Sequence, residues 1–332
     1  MLNIPADIEP GLQSRLRKKQ QPPLWVEPTK AILTYDYFWS DDWAYEWKLD
    51  GERVLARKQG ATVRLYSRNK IELNATYPEV VDELQKIAGD WWLDGEIVAF
   101  EGANTSFRKL QDRLHIKDES VARGSATPVF YYVFDCMFMD GCDLTRLPYY
   151  ERRRILHALV KVRGPLRLLP IEQKAGRQYF EMICRKGWEG LMVKDLSSTY
   201  ESKRTGKWLK FKCSNGQELI IIGYTEPQGS RIGFGALLLG FYDHGRLHYA
   251  GKVGTGFNEA TLKSLLARMR RYETDKLPLD QAVHGKGIHW VQPRLVCEVG
   301  FTEWTEENRL RHPRYLGLRD DKPAEEVVKE RS

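Results

Sequence analysis

Short segments with the composition of β-strands recur along the chain, and they constrain its fold more than any other feature of the sequence. Gln59-Gly60 lies between two segments in which apolar and polar residues alternate, which predicts a β-hairpin. Further strand candidates are residues 91–100, 129–135, 190–195 and 208–212. Helical periodicity is confined to stretches between the strands, near 77–88, 106–115, 149–160 and 177–186. Antiparallel strands with helices interspersed predict an α+β fold.

The length of 332 residues suggests two domains, because a domain typically has about 150 residues. Three turn-forming residues in a row, Ser214-Asn215-Gly216, predict a hinge between them. Beyond this point, strand-like segments surround one strong helix near 258–272, with Asn258 as its N-cap. This is the pattern of a small closed β-barrel such as an OB-fold. We therefore expect one domain at residues 28–214 and a barrel domain at 215–332.

Residues 1–27 are polar and include prolines and a basic cluster. We expect them to form a solvated or partly helical arm rather than a dedicated DNA contact. This segment lacks the apolar stretch of a secretory signal, and no apolar run in the chain approaches the ~18 residues that cross a bilayer. The five cysteines are scattered and form no CxxC pair. Their pattern argues against a disulfide framework and a cysteine-rich zinc site, and it favours a reducing cytoplasm.

Residues 46–53 read EWKLDGER and place a lysine between two carboxylates. If the segment is a strand, Glu46, Lys48 and Asp50 point to the same face. A structural ion pair is the simpler interpretation of this stretch alone. The alternative is a nucleophilic lysine held in a charged pocket.

Other segments carry side chains that complement this lysine, although each segment alone is better explained as a solvated strand face. Three carboxylates offer the hard oxygen ligands that suit magnesium, namely Asp50, Glu96 and Glu189. Four cations could hold phosphates, namely Arg53, Arg68, Lys210 and Lys212. Phe134 could stack on a base. Together these residues predict one phosphate-handling site with Lys48 as its nucleophile.

A lysine nucleophile needs its free amine, but an ordinary lysine has a pKa of about 10.4 and is protonated at pH 7. Neighbouring cations and partial desolvation lower the pKa of a lysine, and we expect both at Lys48. The net charge of +7 favours polyanion partners, but only weakly.

Five short motifs, in this order, resemble those of the covalent nucleotidyltransferases, the superfamily of DNA ligases, RNA ligases and capping enzymes. They are KLDGER (48–53), LDGEIV (93–98), FD (134–135), EGLMVK (189–194) and WLKFK (208–212). The later segments GFGALLLGFY, HYAGKVGTGF and FTEWTEENRLRHPRYLGLRDDK are similar to the OB domain of bacterial ATP-dependent DNA ligases. The likeness is greatest to the ligase module of multifunctional end-joining ligases and their small stand-alone relatives. It extends from about residue 28 to residue 328.

The resemblance implies that Lys48 attacks the α-phosphate of ATP and holds AMP as a phosphoramidate. Glu46 would read the adenine amino group, and Phe134 would stack on adenine. Further contacts with the nucleotide or with the 5′ phosphate of a nick would come from Trp47, Arg53, Arg68, Glu96 and Lys194. By strand alternation Lys194 falls on the opposite face from Glu189.

For the metal and the phosphates, the resemblance implies Glu96 and Glu189 as metal ligands, and Asp50 stays a candidate from its carboxylate alone. Lys210 and Lys212 would neutralise the transferring phosphate. Arg319, Asp321 and Lys322 match an RxDK pattern that acts on the pyrophosphate of ATP.

The implied activity is ATP-dependent sealing of 5′-phosphate/3′-hydroxyl nicks in double-stranded DNA, in DNA repair or end joining. The cofactors would be ATP and Mg²⁺ or Mn²⁺. The expected setting is the nucleoid-associated cytoplasm of a bacterium, where the protein works as a monomer away from membranes. A DNA-end-binding or repair protein is an optional partner.

Two rivals within the same chemistry are a GTP-using capping enzyme and an RNA ligase. The segment from FTEW to RDDK argues against the capping enzyme. A rival of a different class is a non-catalytic OB-type nucleic-acid binder, in which Lys48 is only an ion pair. Adduct formation with labelled ATP or GTP distinguishes these activities.

Overall fold

A computed structural model describes residues 8–19, 21–114, 116–213, 216–227, 229, 232–279, 283, 285 and 287–329. The chain divides into two compact units, Met1–Cys213 and Ser214–Ser332. Ser214 and Asn215 of the predicted hinge lie outside the described residues, whereas Gly216 begins a strand. None of the helices in these ranges is long and apolar enough to cross a membrane.

The N-terminal unit combines many short strands with a few helices. Its strands are β1 Arg17–Lys18, β2 Lys30–Leu33, β3 Trp43–Trp47, β4 Glu52–Gln59, β5 Thr62–Ser67, β6 Trp91–Val98, β7 Phe100–Glu101, β8 Asn104–Thr105, β9 Phe130–Met139, β10 Cys142–Asp143, β11 Leu166–Leu168, β12 Ile171–Glu172, β13 Gly190–Asp195 and β14 Arg204–Lys212. Its helices are a 3-10 helix Pro10–Arg15, α1 Pro78–Gln85, α2 Phe107–Leu114, α3 Glu119–Arg123, α4 Tyr149–Leu159 and α5 Arg177–Arg185. The mixture confirms the predicted α+β class.

The larger sheet of this unit has the strand order β1-β10-β9-β6-β4-β5, with β11 also paired to β9. Only β11 runs parallel to its neighbour. The predicted hairpin is β4–β5, and Gly60 at its tip adopts a φ of +57°. The buried side chains of this sheet, among them Trp91 and Tyr131, form a core with Tyr77 and Val80 from the start of α1.

The smaller sheet has the order β12-β3-β13-β14-β2, with β2 parallel to β14. One of its faces is apolar and packs against Phe180 and Ile183 of α5 through residues such as Tyr45 and Phe211. Trp208 of β14 instead packs with Phe134 of the larger sheet. The two sheets therefore meet across a shared aromatic cluster, and this junction carries most of the predicted site residues.

The N-terminal segment is partly helical, as the prediction allows, with a 3-10 helix at Pro10–Arg15, but its described residues are not simply solvated. Ile8 and Leu12 are buried in the core of the larger sheet. Strand β1 extends that sheet by pairing with β10, and Trp25 packs edge-on against Trp92 and Tyr66. A few apolar residues spaced along a polar segment are enough to anchor it, because each meets a ready-made apolar surface.

The C-terminal unit is an antiparallel sheet with one α-helix. Its strands are β15 Gly216–Thr225, β16 Leu237–Asp243, β17 Arg246–Val253, β18 Glu273–Thr274, β19 Ile288–Gly300, β20 Glu303–Trp304, β21 Leu310–Arg311 and β22 Arg314–Leu318. Six of these strands form one sheet, in the order β17-β16-β15-β19-β18 with β22 also on β19. The helices are α6 Glu259–Arg270 and a 3-10 helix Ala324–Glu326. Asn258 caps α6 as predicted, since its side chain accepts the N–H of Thr261.

The sequence analysis argues against a disulfide framework, but one pair of cysteines, Cys184 and Cys213, forms a disulfide. Cys184 lies near the end of α5, and Cys213 directly follows β14. The smaller sheet brings these two ends together with a Cα–Cα distance of 5.2 Å. Nothing in a 29-residue separation indicates this proximity. Cys136, Cys142 and Cys297 are buried free thiols.

We expect alkylation of the unfolded, unreduced protein to modify three of the five cysteines, and all five after reduction. The label count, read by mass spectrometry, should rise to four without reductant in Cys184→Ser, because Cys213 is then free. Five labels on the unreduced wild type would contradict the disulfide.

Candidate active site

Lys48 lies just beyond the end of β3 and faces a carboxylate. Its Nζ is 2.5 Å from Oε1 of Glu189, and its backbone N–H donates to the carbonyl of Gly190 at 2.9 Å. The Lys48 and Glu189 side chains are 15% and 23% exposed, so a ligand can reach both. The amine is thus held at a strand end, in an ion pair with a carboxylate that a ligand can also reach.

Two glycines permit this arrangement through close backbone approach. A Cβ on Gly51 would lie 2.3 Å from the carbonyl oxygen of Ile97. A Cβ on Gly190 would lie 1.9 Å from the carbonyl oxygen of Phe211, and Gly190 also adopts a φ of +147°. Both contacts are shorter than any side chain tolerates, so the glycines in KLDGER and EGLMVK are required by packing.

Glu46 and Lys194 form a buried ion pair beside this lysine. Lys194 Nζ is 2.6 Å from Oε2 of Glu46, and the two side chains are 1% and 0% exposed. Burial lowers the pKa of Lys194, while the Glu46 carboxylate raises it in part. The ammonium also lies 4.0 Å from the centre of the Phe134 ring.

This geometry differs from the prediction that Lys194 and Glu189 lie on opposite faces of one strand. Alternation assumes a continuous strand, but Glu189 precedes β13, and Gly190 with its positive φ changes the direction of the chain. As a result Glu189 contacts Lys48 while Lys194 contacts Glu46, and both belong to one group.

Arg53 is held by Asp94, which the sequence analysis did not select as a site residue. Its guanidinium donates to both Asp94 oxygens, at 2.9 and 2.5 Å, and to the carbonyl of Thr29. Tyr200 donates its hydroxyl to the same carboxylate at 2.7 Å. Burial lowers the pKa of Arg53, but Asp94 outweighs this effect and raises it. The LDGE motif hinted at Asp94, since Asp94 and Glu96 share a strand face.

Arg53 also connects the two sheets. Its guanidinium lies 5.5 Å from the ring centre of Phe134 and 5.6 Å from that of Trp208. Phe134 is therefore placed among cations, with Arg53 and Lys194 both within cation–π distance.

The three predicted metal ligands are not gathered into one cluster. Asp50 accepts the backbone N–H of Phe107 at 2.9 Å and so caps the start of α2. Strand β3 ends at Trp47, so alternation does not extend to Asp50. Glu96 is half-buried and pairs in register with Arg53 across β4 and β6. Within the described ranges, no three His, Cys, Asp or Glu side chains are placed to hold a metal ion.

Lys210 and Lys212 lie on β14 directly opposite β13, in register with Met192 and Gly190. Both share their strand face with Trp208 by alternation, as predicted. Trp47 packs at the edge of the cluster that contains Phe134 and Trp208. It packs against Trp188 with ring centres 4.8 Å apart and donates to the hydroxyl of Tyr179 in α5.

Arg68 follows β5, which is an edge strand of the larger sheet. It is half-buried in a turn that Ser67 closes, because the Ser67 hydroxyl accepts the N–H groups of Asn69 and Ile71.

In the C-terminal unit, Arg319 and Lys322 are held by carboxylates. Arg319 donates to Asp321 at 3.0 Å and to Glu298 at 3.1 Å. Lys322 donates to Glu218 on β15. Burial lowers the pKa of Arg319, but these carboxylates, Asp321 first, raise it well above its usual value. Asp321 belongs to the predicted RxDK pattern, whereas the sequence analysis did not identify Glu218 or Glu298.

The side chains around Lys48 in the N-terminal unit can support nucleophilic phosphoryl transfer. It offers an accessible amine, a nearby carboxylate, two strand lysines for phosphates and an aromatic ring for a base. Such reactions need positioning and charge neutralisation rather than a second nucleophile.

Comparison with known proteins extends over most of the chain. Residues 23–212 match the family described as ATP dependent DNA ligase domain, and residues 230–322 match the ATP dependent DNA ligase C terminal region. The multifunctional non-homologous end joining protein LigD of Pseudomonas aeruginosa is 36% identical over 97% of this chain and 39% of its own length. The DNA ligase of Methanosphaerula palustris is 32% identical over 86% of this chain and 52% of its own length.

Among solved structures, one described as mycobacterial DNA ligase D complexed with ATP and MES matches with a TM-score of 0.64 and 33% identity. The match covers 91% of this chain and 98% of that one. The chain spans about two fifths of the length of the end-joining relative from Pseudomonas aeruginosa.

We expect Asp94→Asn to lower the free energy of unfolding by about 3 kcal/mol, because it leaves the buried end of Arg53 without a counter-charge. The measurement is urea unfolding. Asp82→Asn is the matched control, since Asp82 is 49% exposed in its pair with Arg123 and should change stability by less than about 1 kcal/mol. An equal loss of unfolding free energy in the two variants would contradict a larger contribution of the buried Arg53–Asp94 pair to stability.

Proposed function

This chain belongs to the family of ATP-dependent DNA ligases, and we propose that it seals nicks in duplex DNA through an AMP adduct on Lys48. The observation that carries the proposal is the position of Lys48. This first residue of the KLDGER motif is accessible and lies 2.5 Å from Glu189, the first residue of the EGLMVK motif.

The reaction has three steps, and each is a nucleophilic substitution at phosphorus. In the first, the Lys48 amine loses a proton and attacks the α-phosphorus of ATP, so that a P–N bond forms and pyrophosphate leaves. In the second, the 5′ phosphate of the nick attacks the same phosphorus, and the lysine leaves. In the third, the 3′ hydroxyl attacks the activated 5′ phosphate, and AMP leaves. Each step exchanges one bond for another and needs no oxidant or further nucleophile.

The side chains around Lys48 have distinct parts in these steps. We assign the adenine amino group to Glu46 and the adenine ring to Phe134, both of which contact Lys194. Lys210 and Lys212 would neutralise the phosphate in transfer. Arg53 would act at the nucleotide or the nick phosphate from its fixed position on Asp94.

A divalent metal ion, Mg²⁺ or Mn²⁺, would supply charge neutralisation on the triphosphate when bound. The carboxylates present suit such an ion, because magnesium in proteins uses one or two carboxylates together with waters and substrate phosphates. Glu189 and Glu96 are the residues that would hold it. Asp50 is less suited, since one of its oxygens caps α2.

The biological setting that we propose is bacterial DNA repair by end joining. The likeness to end-joining proteins supports this, although the chain spans 39% of the length of the relative from Pseudomonas aeruginosa. The substrate would be nicked duplex DNA in the nucleoid-associated cytoplasm, the protein would act as a monomer, and a DNA-end-binding protein would recruit it to breaks.

We expect Lys48→Ala to abolish the covalent adduct formed with radiolabelled ATP and magnesium, because it removes the attacking amine. The adduct, measured on denaturing gels, should be acid-labile and should form with ATP in preference to GTP. Lys86→Ala, which removes an exposed lysine paired with Glu83, is the control and should label like the wild type. Labelling of Lys48→Ala at the wild-type level would exclude the covalent mechanism.

We also propose that Arg319 and Lys322 act on the pyrophosphate of ATP in the first step alone. Arg319→Ala should then slow ATP-dependent sealing by about 100-fold or more, in line with the loss of one transition-state contact. It should affect sealing of a nick that already carries 5′-AMP by less than about 5-fold, because no pyrophosphate leaves in that step.

Arg268→Ala is the matched control for this comparison. Arg268 is a partly exposed arginine of the same unit that pairs with Asp320, the residue next to Arg319. It should leave both assays unchanged. Equal loss in the two assays for Arg319→Ala would mean that Arg319 acts through stability or DNA binding instead.

A further inference from the structure

Glu46 is fully buried, and two side chains reach its carboxylate. Tyr149, the first residue of α4, donates its hydroxyl to Oε1 of Glu46, and Lys194 lies 2.6 Å from Oε2. Lys194 also donates to the Tyr149 oxygen at 3.2 Å, so the three side chains form a closed network. The Tyr149 hydroxyl in addition lies 3.1 Å from the carbonyl oxygen of Phe134. No motif described above includes Tyr149.

One oxygen of this network retains an open position. Oε2 of Glu46 is buried without a hydrogen-bond partner among the described residues, although the Lys194 ammonium lies 2.6 Å from it. A buried acceptor without a donor costs about 1–3 kcal/mol, more when it is charged, unless a ligand satisfies it. An ionised carboxylate can only accept hydrogen bonds, so the missing partner must be a donor.

Tyr149 is itself held rigidly. Arg152, one turn further along α4, forms a fully buried ion pair with Asp135 of β9, with both oxygens engaged at 2.8 and 2.9 Å. This pair fixes the start of α4 against the strand that carries Phe134. The Tyr149 hydroxyl therefore reaches Glu46 from a fixed point, and it defines which way the carboxylate faces.

We propose that Tyr149 is the positioning residue that sets the choice of adenine over other purines, acting through Glu46. This inference rests on the proposed function, in which Glu46 meets the base. With Oε1 bound by Tyr149, Oε2 is the oxygen directed at the base. It accepts a hydrogen bond from the 6-amino group of adenine, whereas the 6-oxo group of guanine would place two acceptors against each other. Such polar mismatches in a buried site give strong discrimination.

The test compares Tyr149→Phe with wild type in the first reaction step, using three nucleotides that differ at position 6. These are ATP, purine riboside triphosphate, which has hydrogen in place of the amino group, and GTP. The readout is kcat/KM for the adduct on Lys48. Tyr150→Phe is the matched control, because its hydroxyl is on the next residue and bonds Glu9 at the surface.

In Tyr149→Phe we expect kcat/KM to fall about 10-fold for ATP and less than about 2-fold for purine riboside triphosphate, since a hydrogen bond to a charged group is at stake. The preference for ATP over GTP should fall in parallel. Tyr150→Phe should change none of these values. A purely structural role would lower kcat/KM equally for all three nucleotides, and that result would overturn the proposal.

The wild type provides a second test that needs no variant. It should prefer ATP to purine riboside triphosphate by about 10-fold or more, and the lack of such a preference would also overturn the proposal even if Tyr149→Phe fails to fold. A wild type that forms no adduct with any nucleotide would instead refute the proposed function, and this inference with it. The two failures are therefore distinguishable.

Discussion

The charges buried where the two sheets of the N-terminal unit meet determine where its reactive groups lie. A charge without a partner is very costly in this environment, so each one is compensated by a residue from another part of the chain. Lys194 pairs with Glu46, Arg53 with Asp94, and Arg152 with Asp135. The Lys194–Glu46 pair holds strands of the smaller sheet, and the Arg53–Asp94 pair holds strands of the larger sheet. The Arg152–Asp135 pair holds helix α4. The accessible amine of Lys48 is held at the edge of this paired interior, which keeps it both rigid and open to a ligand.

Local signals in the sequence were sufficient for much of the fold. The β4–β5 hairpin, the cap at Asn258 and the strand at 190–195 depend on residues close together in the chain, and all three are found where the patterns predict them. The ordered motifs likewise identified Lys48 and Glu189, which are in contact. The residues that determine the hairpin, the cap and the strand thus lie within a few positions of one another in the chain.

The features that the sequence analysis missed all depend on contacts between distant segments. The Cys184–Cys213 bridge forms because two chain ends meet in the smaller sheet. Asp50 caps the start of α2 by accepting a hydrogen bond from a residue 57 positions away in the chain. Tyr149 donates a hydrogen bond to Glu46, which is 103 positions away. Alternation within a strand contains no information about these partners, and it also fails where a strand stops or where a glycine changes the chain direction. Composition misjudged the N-terminal segment for the same reason.

That segment has a consequence for the behaviour of shortened chains. The family match begins at residue 23, but β1 at Arg17–Lys18 covers the edge of β10, and Ile8 and Leu12 cover apolar surface. A protein trimmed to the matched boundary would expose unpaired backbone donors and acceptors along a sheet edge, next to uncovered hydrophobic side chains. Exposed edges of this kind recruit strands from other molecules. Residues 8–19 thus cover a sheet edge and the apolar surface beside it, a property that no alignment of catalytic motifs records.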